Sequence, residues 1–161
     1  MNTAVDAPGK RILIVDDDPA VRESLKQMLG IDHHTVTEAG SGPEALELFA
    51  GSAYDVVITD YLMPGMLGDE LAEAIWKIAP QQPVIMLTAY LRKLARAGQL
   101  ADVMLCKPLS LEQLRTAITE PITRTVPIQW DENSSSGFST AELLRRASAT
   151  TKVLVQILDQ K

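Results

Sequence analysis

The chain has 161 residues, enough for one compact domain with a hydrophobic core and a short additional segment. Its formal net charge of −6 argues against extensive nucleic-acid binding, and its apolar runs fall well short of the roughly 20 residues of a membrane-spanning helix. A lone Cys106 excludes an internal disulfide, and the first residues lack the apolar core of a secretory signal, so we expect a cytoplasmic location.

Short apolar runs alternate with helical patterns from Arg11 to about Glu120. Most of these runs are continuous, which is typical of strands buried on both faces of a parallel sheet. The alternation predicts an α/β fold with a doubly wound, five-stranded parallel sheet and helices on both faces. The predicted strands are Ile12–Val15, Thr35–Glu38, Val56–Ile58, Val84–Leu87 and Val103–Cys106. The predicted helices are Pro19–Leu29, which Gly30 would end, Pro43–Phe49, Asp69–Ile78, the less regular Leu91–Ala97, and Leu111–Ile118.

The composition changes from Pro121 onwards. Residues 121–138 have the Pro, Ser and Gly content of a linker. Ser139 and Glu142 form a capping-box pattern, and apolar residues follow at helical spacing, so an amphipathic C-terminal helix is predicted over residues 139–160. This helical extension is expected either to contact a partner, including a second copy in a homodimer, or to pack on its own domain. The sequence leaves both possibilities open.

Polar residues follow four of the predicted strands, at the sheet edge where function gathers in such folds. Several carboxylates that meet there would repel each other and require a cation. Oxygen ligands without His or Cys favour a hard ion, Mg²⁺ in particular. A carboxylate nucleophile beside Mg²⁺, a Lys and a hydroxyl is suited to phosphoryl transfer. The residues concerned are Asp16, Asp17 and Asp18 after the first strand, Asp60 after the third, Thr88 after the fourth and Lys107 after the fifth.

Four segments carry a resemblance to a known family: Ile12–Pro19 (ILIVDDDP), Asp60–Gly65 (DYLMPG), Thr88-Ala89 and Lys107-Pro108. In this order, each after its strand, they resemble the receiver domain of two-component response regulators. The resemblance covers residues 10–120 and implies the chemotaxis-regulator-like strand order 2-1-3-4-5, one of the common orders of doubly wound sheets. It further implies a phosphoacceptor that catalyses its own phosphorylation and dephosphorylation, not an enzyme with a separate substrate.

The resemblance also implies a role for each residue of the site. Asp60 would be the phosphoacceptor, and Thr88 and Lys107 would bind the phosphoryl group. Asp18 falls outside the acidic pair and is expected to cap the first helix. The implied ligands of Mg²⁺ are Asp16, Asp17, Asp60 and the backbone carbonyl of Leu62.

Three further features follow from the same resemblance. The Lys107–Pro108 peptide would be cis. Met104 occupies a switch position where the family usually has Tyr or Phe, so the readout of phosphorylation is expected to differ. Leu62 and Tyr90 would flank the approach of the hydrolytic water and tune hydrolysis, and their bulk predicts a phosphorylated state that lasts minutes to hours.

The implied function is to accept a phosphoryl group from a sensor histidine kinase or phosphotransfer protein and to signal to a downstream protein target through altered contacts. One alternative is that the chain is the N-terminal receiver part of a longer DNA-binding transcriptional regulator. Residues 121–161 themselves are short for a DNA-binding module and carry no basic footprint. Another alternative is a haloacid-dehalogenase-type phosphatase with Asp16 as its nucleophile, because Asp16-x-Asp18 resembles the motif of that family.

Overall fold

The computed structural model describes residues 8–89 and 101–119, which form a single parallel sheet and the helices packed on it. The strands lie in the order β2-β1-β3-β4-β5, and every pair is parallel, so the predicted fold class and strand order are confirmed. The predicted helix Leu91–Ala97, linker 121–138 and helix 139–160 lie outside the described residues. The elements are β1 Arg11–Val15, α1 Pro19–Ile31, β2 Thr35–Ala39, α2 Gly42–Gly51, β3 Val56–Asp60, α3 Gly68–Ile78, β4 Val84–Thr88, β5 Val103–Cys106 and α4 Leu111–Thr119.

The prediction that Gly30 ends the first helix is wrong, because α1 continues through it to Ile31. The chain turns two residues later at His33, whose φ of 58° lies in the left-handed region. The backbone N–H groups of His33 and His34 donate to the carbonyls of Gly30 and Leu29, so the last turn of the helix is satisfied. Local hydrogen bonding at the helix end therefore places a non-glycine residue in the left-handed conformation.

Alternate residues of each strand face two separate apolar clusters. Leu13, Val57 and Met86 pack with residues of α2 and α3 on one face of the sheet. Ile14 and Ile85 belong to the cluster on the other face, which includes residues of α1 and α4. A fully buried aliphatic side chain contributes about 1.5–3 kcal/mol to folding, so the two clusters hold the strands firmly in register. The residues at the carboxyl ends of the strands therefore have well-defined positions.

Four strands run further than predicted: β1 begins one residue earlier, at Arg11, and β2, β3 and β4 end one or two residues later. β3 includes Asp60 and β4 includes Thr88, each as its final residue. Both polar residues are therefore held by the sheet and not by a loop. Within the described part of the chain, no helix combines the length and apolar character needed to cross a membrane.

Candidate functional site

Three carboxylates meet at the carboxyl edge of the sheet. Asp16 directly follows β1, Asp17 is the next residue, and Asp60 ends β3. Each offers a carboxylate oxygen, and these oxygens all lie within 4.8 Å of one another. The Asp16 side chain is only 2 % exposed and that of Asp60 13 % exposed, whereas Asp17 faces solvent. Close, partly buried oxygen ligands with one open side fit a hard divalent cation that keeps some of its water, as Mg²⁺ does.

Lys107, which follows β5, supplies a positive charge to this cluster. Its Nζ lies 3.0 Å from an oxygen of Asp16 and 3.0 Å from an oxygen of Asp60. One ammonium group thus bridges two carboxylates that come from different strands. The bridge reduces the repulsion between them and fixes the distance across the site.

The pKa values of this pair reflect their burial and their contact. Burial raises the pKa of Asp60 and the charge of Asp16 adds to the rise, while the hydrogen bond and charge of Lys107 oppose it; the pKa is raised on balance. For Lys107, burial alone would lower the pKa, but its interactions with Asp16 and Asp60 outweigh burial and raise the pKa. Lys107 therefore stays protonated, and it stabilises the ionised form of Asp60, the form that can act as a nucleophile.

The acidic run after β1 divides into residues with different environments. The Asp16 carboxylate accepts the backbone N–H of Asp18 at 2.9 Å, and the Asp16 N–H donates to the carbonyl of Ala39 at 3.2 Å. Asp18 is the N-cap of α1 and accepts the N–H of Ala20 at 2.8 Å, as predicted. The start of the helix therefore helps to hold Asp16 at the sheet edge.

The loop after β3 folds back tightly on Asp60. The N–H of Gly68 donates to the carbonyl of Tyr61 at 2.8 Å, and a side chain at Gly68 would collide with the carbonyl of Asp60. Gly65 has a φ of +82°, which glycine adopts without strain. The sequence analysis did not single out Gly68, which directly precedes the predicted helix Asp69–Ile78 and is the first residue of α3. Leu62 lies in this loop, 49 % exposed.

Thr88 and the Lys107–Pro108 peptide lie at the same edge of the sheet. Thr88 is buried at the end of β4, next to the strand that carries Asp60. The Lys107–Pro108 peptide is cis, as predicted. Met104 pairs in register with Met86 and packs against the cluster on the α2 and α3 face; its switch role stays a prediction. Tyr90 lies outside the described residues.

A parallel α/β sheet with an acidic cluster and a bridging lysine at its carboxyl edge defines a receiver-type signalling domain. Residues 12–119 match the family described as the response regulator receiver domain. The chain belongs to this family, whose members are phosphoacceptor modules of two-component signalling. The matches do not favour the haloacid-dehalogenase-type alternative over this assignment.

The chain is also similar to individual proteins of this kind. It is 37 % identical over 132 residues to the response regulator MprA of Mycobacterium leprae, an alignment that covers 80 % of this chain and 58 % of that protein. The MprA of Mycolicibacterium vanbaalenii is 38 % identical over 120 residues, or 73 % of this chain and 52 % of the relative. The chain thus spans between half and three fifths of the curated relatives it matches.

Solved structures agree with this assignment. The response regulator TrrA of Thermotoga maritima, solved in complex with Mg²⁺ and BeF, is 38 % identical with a TM-score of 0.62, and the match covers 68 % of this chain and 96 % of that one. The chemotaxis response regulator CheY4 of Vibrio cholerae is 28 % identical with a TM-score of 0.63, over 70 % of this chain and 97 % of that one.

Proposed function

We propose that Asp60 accepts a phosphoryl group from a sensor histidine kinase or phosphotransfer protein in a Mg²⁺-dependent reaction. The observation that carries this proposal is the bridge from Lys107 Nζ to both Asp16 and Asp60, at 3.0 Å each. It places a fixed positive charge beside a carboxylate that ends a rigid strand. A downstream protein target would then respond to the changed surface of the phosphorylated domain.

Each group at the edge has a chemical task in this proposal. A carboxylate oxygen of Asp60 attacks phosphorus, a new O–P bond forms, and the P–N bond to the donor imidazole breaks as the imidazole takes up a proton. Lys107 faces the negative charge on the phosphoryl oxygens, and Thr88 provides a hydroxyl at the next strand end. Asp16, Asp17, Asp60 and the carbonyl of Leu62 would hold Mg²⁺, which neutralises part of the same charge when bound.

The test replaces the nucleophile by its nearest isostere. Asp60→Asn is expected to fold and to lose the phosphoryl adduct that the parent forms with a small phosphodonor and Mg²⁺, as followed by intact-protein mass. Asp18→Asn is the matched control, because it changes a nearby carboxylate and keeps a good helix cap. An acid-stable, base-labile adduct on the Asp60→Asn protein would refute the assignment, and its loss only in Asp16→Asn would point to the phosphatase alternative.

We also propose that Leu62 and Tyr90 slow the hydrolysis of phospho-Asp60. Leu62 is half exposed two residues beyond Asp60 and has no group that could orient a water molecule. Since a factor of ten in rate corresponds to about 1.4 kcal/mol of barrier, a modest loss of alignment lengthens the lifetime considerably. The phosphorylated parent is expected to last minutes to hours with Mg²⁺ present, and Leu62→Asn with Tyr90→Glu to decay faster. Equal decay of the parent and the double variant would contradict this role.

A further inference from the structure

Arg22 contacts the backbone of Asp16 in the site, although no sequence motif predicts this contact. It lies one turn into α1, where its backbone N–H donates to the carbonyl of Asp18. Its side chain turns back towards the sheet edge, and Nη1 donates to the backbone carbonyl of Asp16 at 2.7 Å. The guanidinium lies beside Gly40, with Nη1 3.5 Å and Cζ 4.0 Å from the position that a Cβ would take there.

This hydrogen bond completes the set of partners around Asp16. The Asp16 N–H is bound by Ala39, one carboxylate oxygen accepts the N–H of Asp18, and the other faces Lys107. The carbonyl, bound by Arg22, belongs to the peptide unit that joins Asp16 to Asp17. The orientation of that peptide unit sets the direction in which the Asp17 carboxylate leaves the backbone.

The other contact of Arg22 is weaker. Its Nε lies 3.6 Å from Glu38, beyond hydrogen-bond distance, and Glu38 is bound more closely by Lys26 at 2.8 Å. Arg22 Nε is buried and makes no hydrogen bond within the described part of the chain. The 2.7 Å hydrogen bond to the Asp16 carbonyl is therefore the closer of the two contacts, and Glu38 keeps an ion pair with Arg22 at 3.6 Å.

We propose that Arg22 is a positioning residue for the metal site. By holding the carbonyl of Asp16, it orients the Asp16–Asp17 peptide so that the Asp17 carboxylate faces Asp16 and Asp60, the arrangement in which their oxygens lie within 4.8 Å. This inference rests on the proposed Mg²⁺-dependent function and extends it to a residue that itself touches neither the ion nor the phosphoryl group.

The test measures Mg²⁺ affinity directly, by titration of the full chain with Mg²⁺ followed by amide NMR shifts. Arg22→Met keeps the apolar stem and removes the hydrogen bond, and it is expected to weaken Mg²⁺ binding about tenfold, as is usual when a partner of a metal ligand is lost. Lys26→Ala is the matched control: it removes the neighbouring cation on Glu38, does not touch Asp16, and is expected to keep the affinity of the parent. Arg22→Lys can still reach the carbonyl and is expected to bind Mg²⁺ better than Arg22→Met.

The outcomes separate this inference from the function on which it rests. Failure of the parent to bind Mg²⁺ or to form the adduct on Asp60 would refute the proposed function. If the parent does both, an unchanged affinity in Arg22→Met would overturn the role of Arg22. Equal Mg²⁺ affinities of Arg22→Met and Arg22→Lys would also overturn this role, because the loss would then come from the changed size and shape of the side chain and not from the missing hydrogen bond. A loss in Lys26→Ala as large as in Arg22→Met would assign the effect to the general positive charge near Glu38.

Discussion

At the carboxyl edge of the sheet, Lys107 lies between Asp16 and Asp60, and Asp17 adds a third acid. At the amino edge, Arg115 and Asp32 form a separate ion pair. Arg115 binds both carboxylate oxygens of Asp32, at 2.6 and 2.7 Å, and thereby joins the end of α1 to α4. The first edge has three carboxylates for one bridging ammonium, whereas the second has one guanidinium for one carboxylate.

The pKa of an aspartate is shifted in opposite directions at the two edges. The hydrogen bond to Arg115 is the main reason that the pKa of Asp32 is lowered, while burial is the main reason that the pKa of Asp60 is raised. Ionised Asp32 therefore favours the folded state, and this contribution is lost as the pH falls through its folded pKa. Ionisation of Asp60 works against folding in the metal-free protein. The amino edge is arranged for stability, and the carboxyl edge keeps a charge imbalance that a cation can relieve.

The largest effect is expected at the acid-rich edge from Asp17→Ala. This change removes an exposed carboxylate from the cluster and is expected to weaken Mg²⁺ binding by at least about tenfold. Loss of even a residue that only hydrogen-bonds to a metal ligand lowers metal affinity by roughly 10–100-fold. The melting temperature without Mg²⁺ is expected not to fall, because a repelling charge is removed. Titration of the parent, Asp17→Ala and Asp18→Asn with Mg²⁺ checks this. Coincident curves for the first two would show that Asp17 is not a ligand.

The next effect concerns the bridging lysine. Lys107→Met leaves two close carboxylates without their shared cation, and it is expected to destabilise the metal-free protein by about 1–3 kcal/mol, between the values of exposed and fully buried pairs, because Lys107 is 26 % exposed. Denaturant unfolding without Mg²⁺ measures this. Much of the loss should be absent when Lys107→Met is made in the Asp60→Asn protein. An equal loss in both backgrounds would mean that the bridge to Asp60 contributes nothing.

A pH series sharpens the contrast between the two aspartates. Protons and Mg²⁺ compete for Asp60, and because its pKa is raised, Mg²⁺ affinity is expected to fall at a higher pH during acidification than an ordinary carboxylate would allow. In the metal-free protein, Asp60→Asn should gain stability over the parent as the pH rises through the folded pKa of Asp60. Mg²⁺ titration and thermal unfolding across the same pH values check the two statements. A constant stability difference would contradict the raised pKa.

The smallest effect is expected at the amino edge. Arg115→Ala removes an exposed, well-formed ion pair, and its cost should be small and should shrink further with added salt. It should leave Mg²⁺ affinity unchanged, because the pair lies at the opposite end of the strands. Unfolding at low and high salt measures the first point. A loss as large as that of Lys107→Met would remove the distinction between the two edges.

The sequence by itself determined the alternation of strands and helices, and with it the edge at which Asp16, Asp60, Thr88 and Lys107 would gather. This was possible because buried strands and capped helices are local patterns, and because parallel strands bring their carboxyl ends to one edge. The family resemblance then supplied the strand order, which the structure confirms.

Tertiary structure alone decided how these groups meet. The bridge from Lys107 to Asp16 joins residues 91 positions apart, and the bond from Arg22 to the Asp16 carbonyl depends on how α1 packs beside β2 and Gly40. No local pattern encodes either contact. Secondary-structure propensity indicates whether a segment forms a helix or a strand. The direction in which a long polar side chain points depends instead on the hydrogen-bond partners that the fold places within its reach.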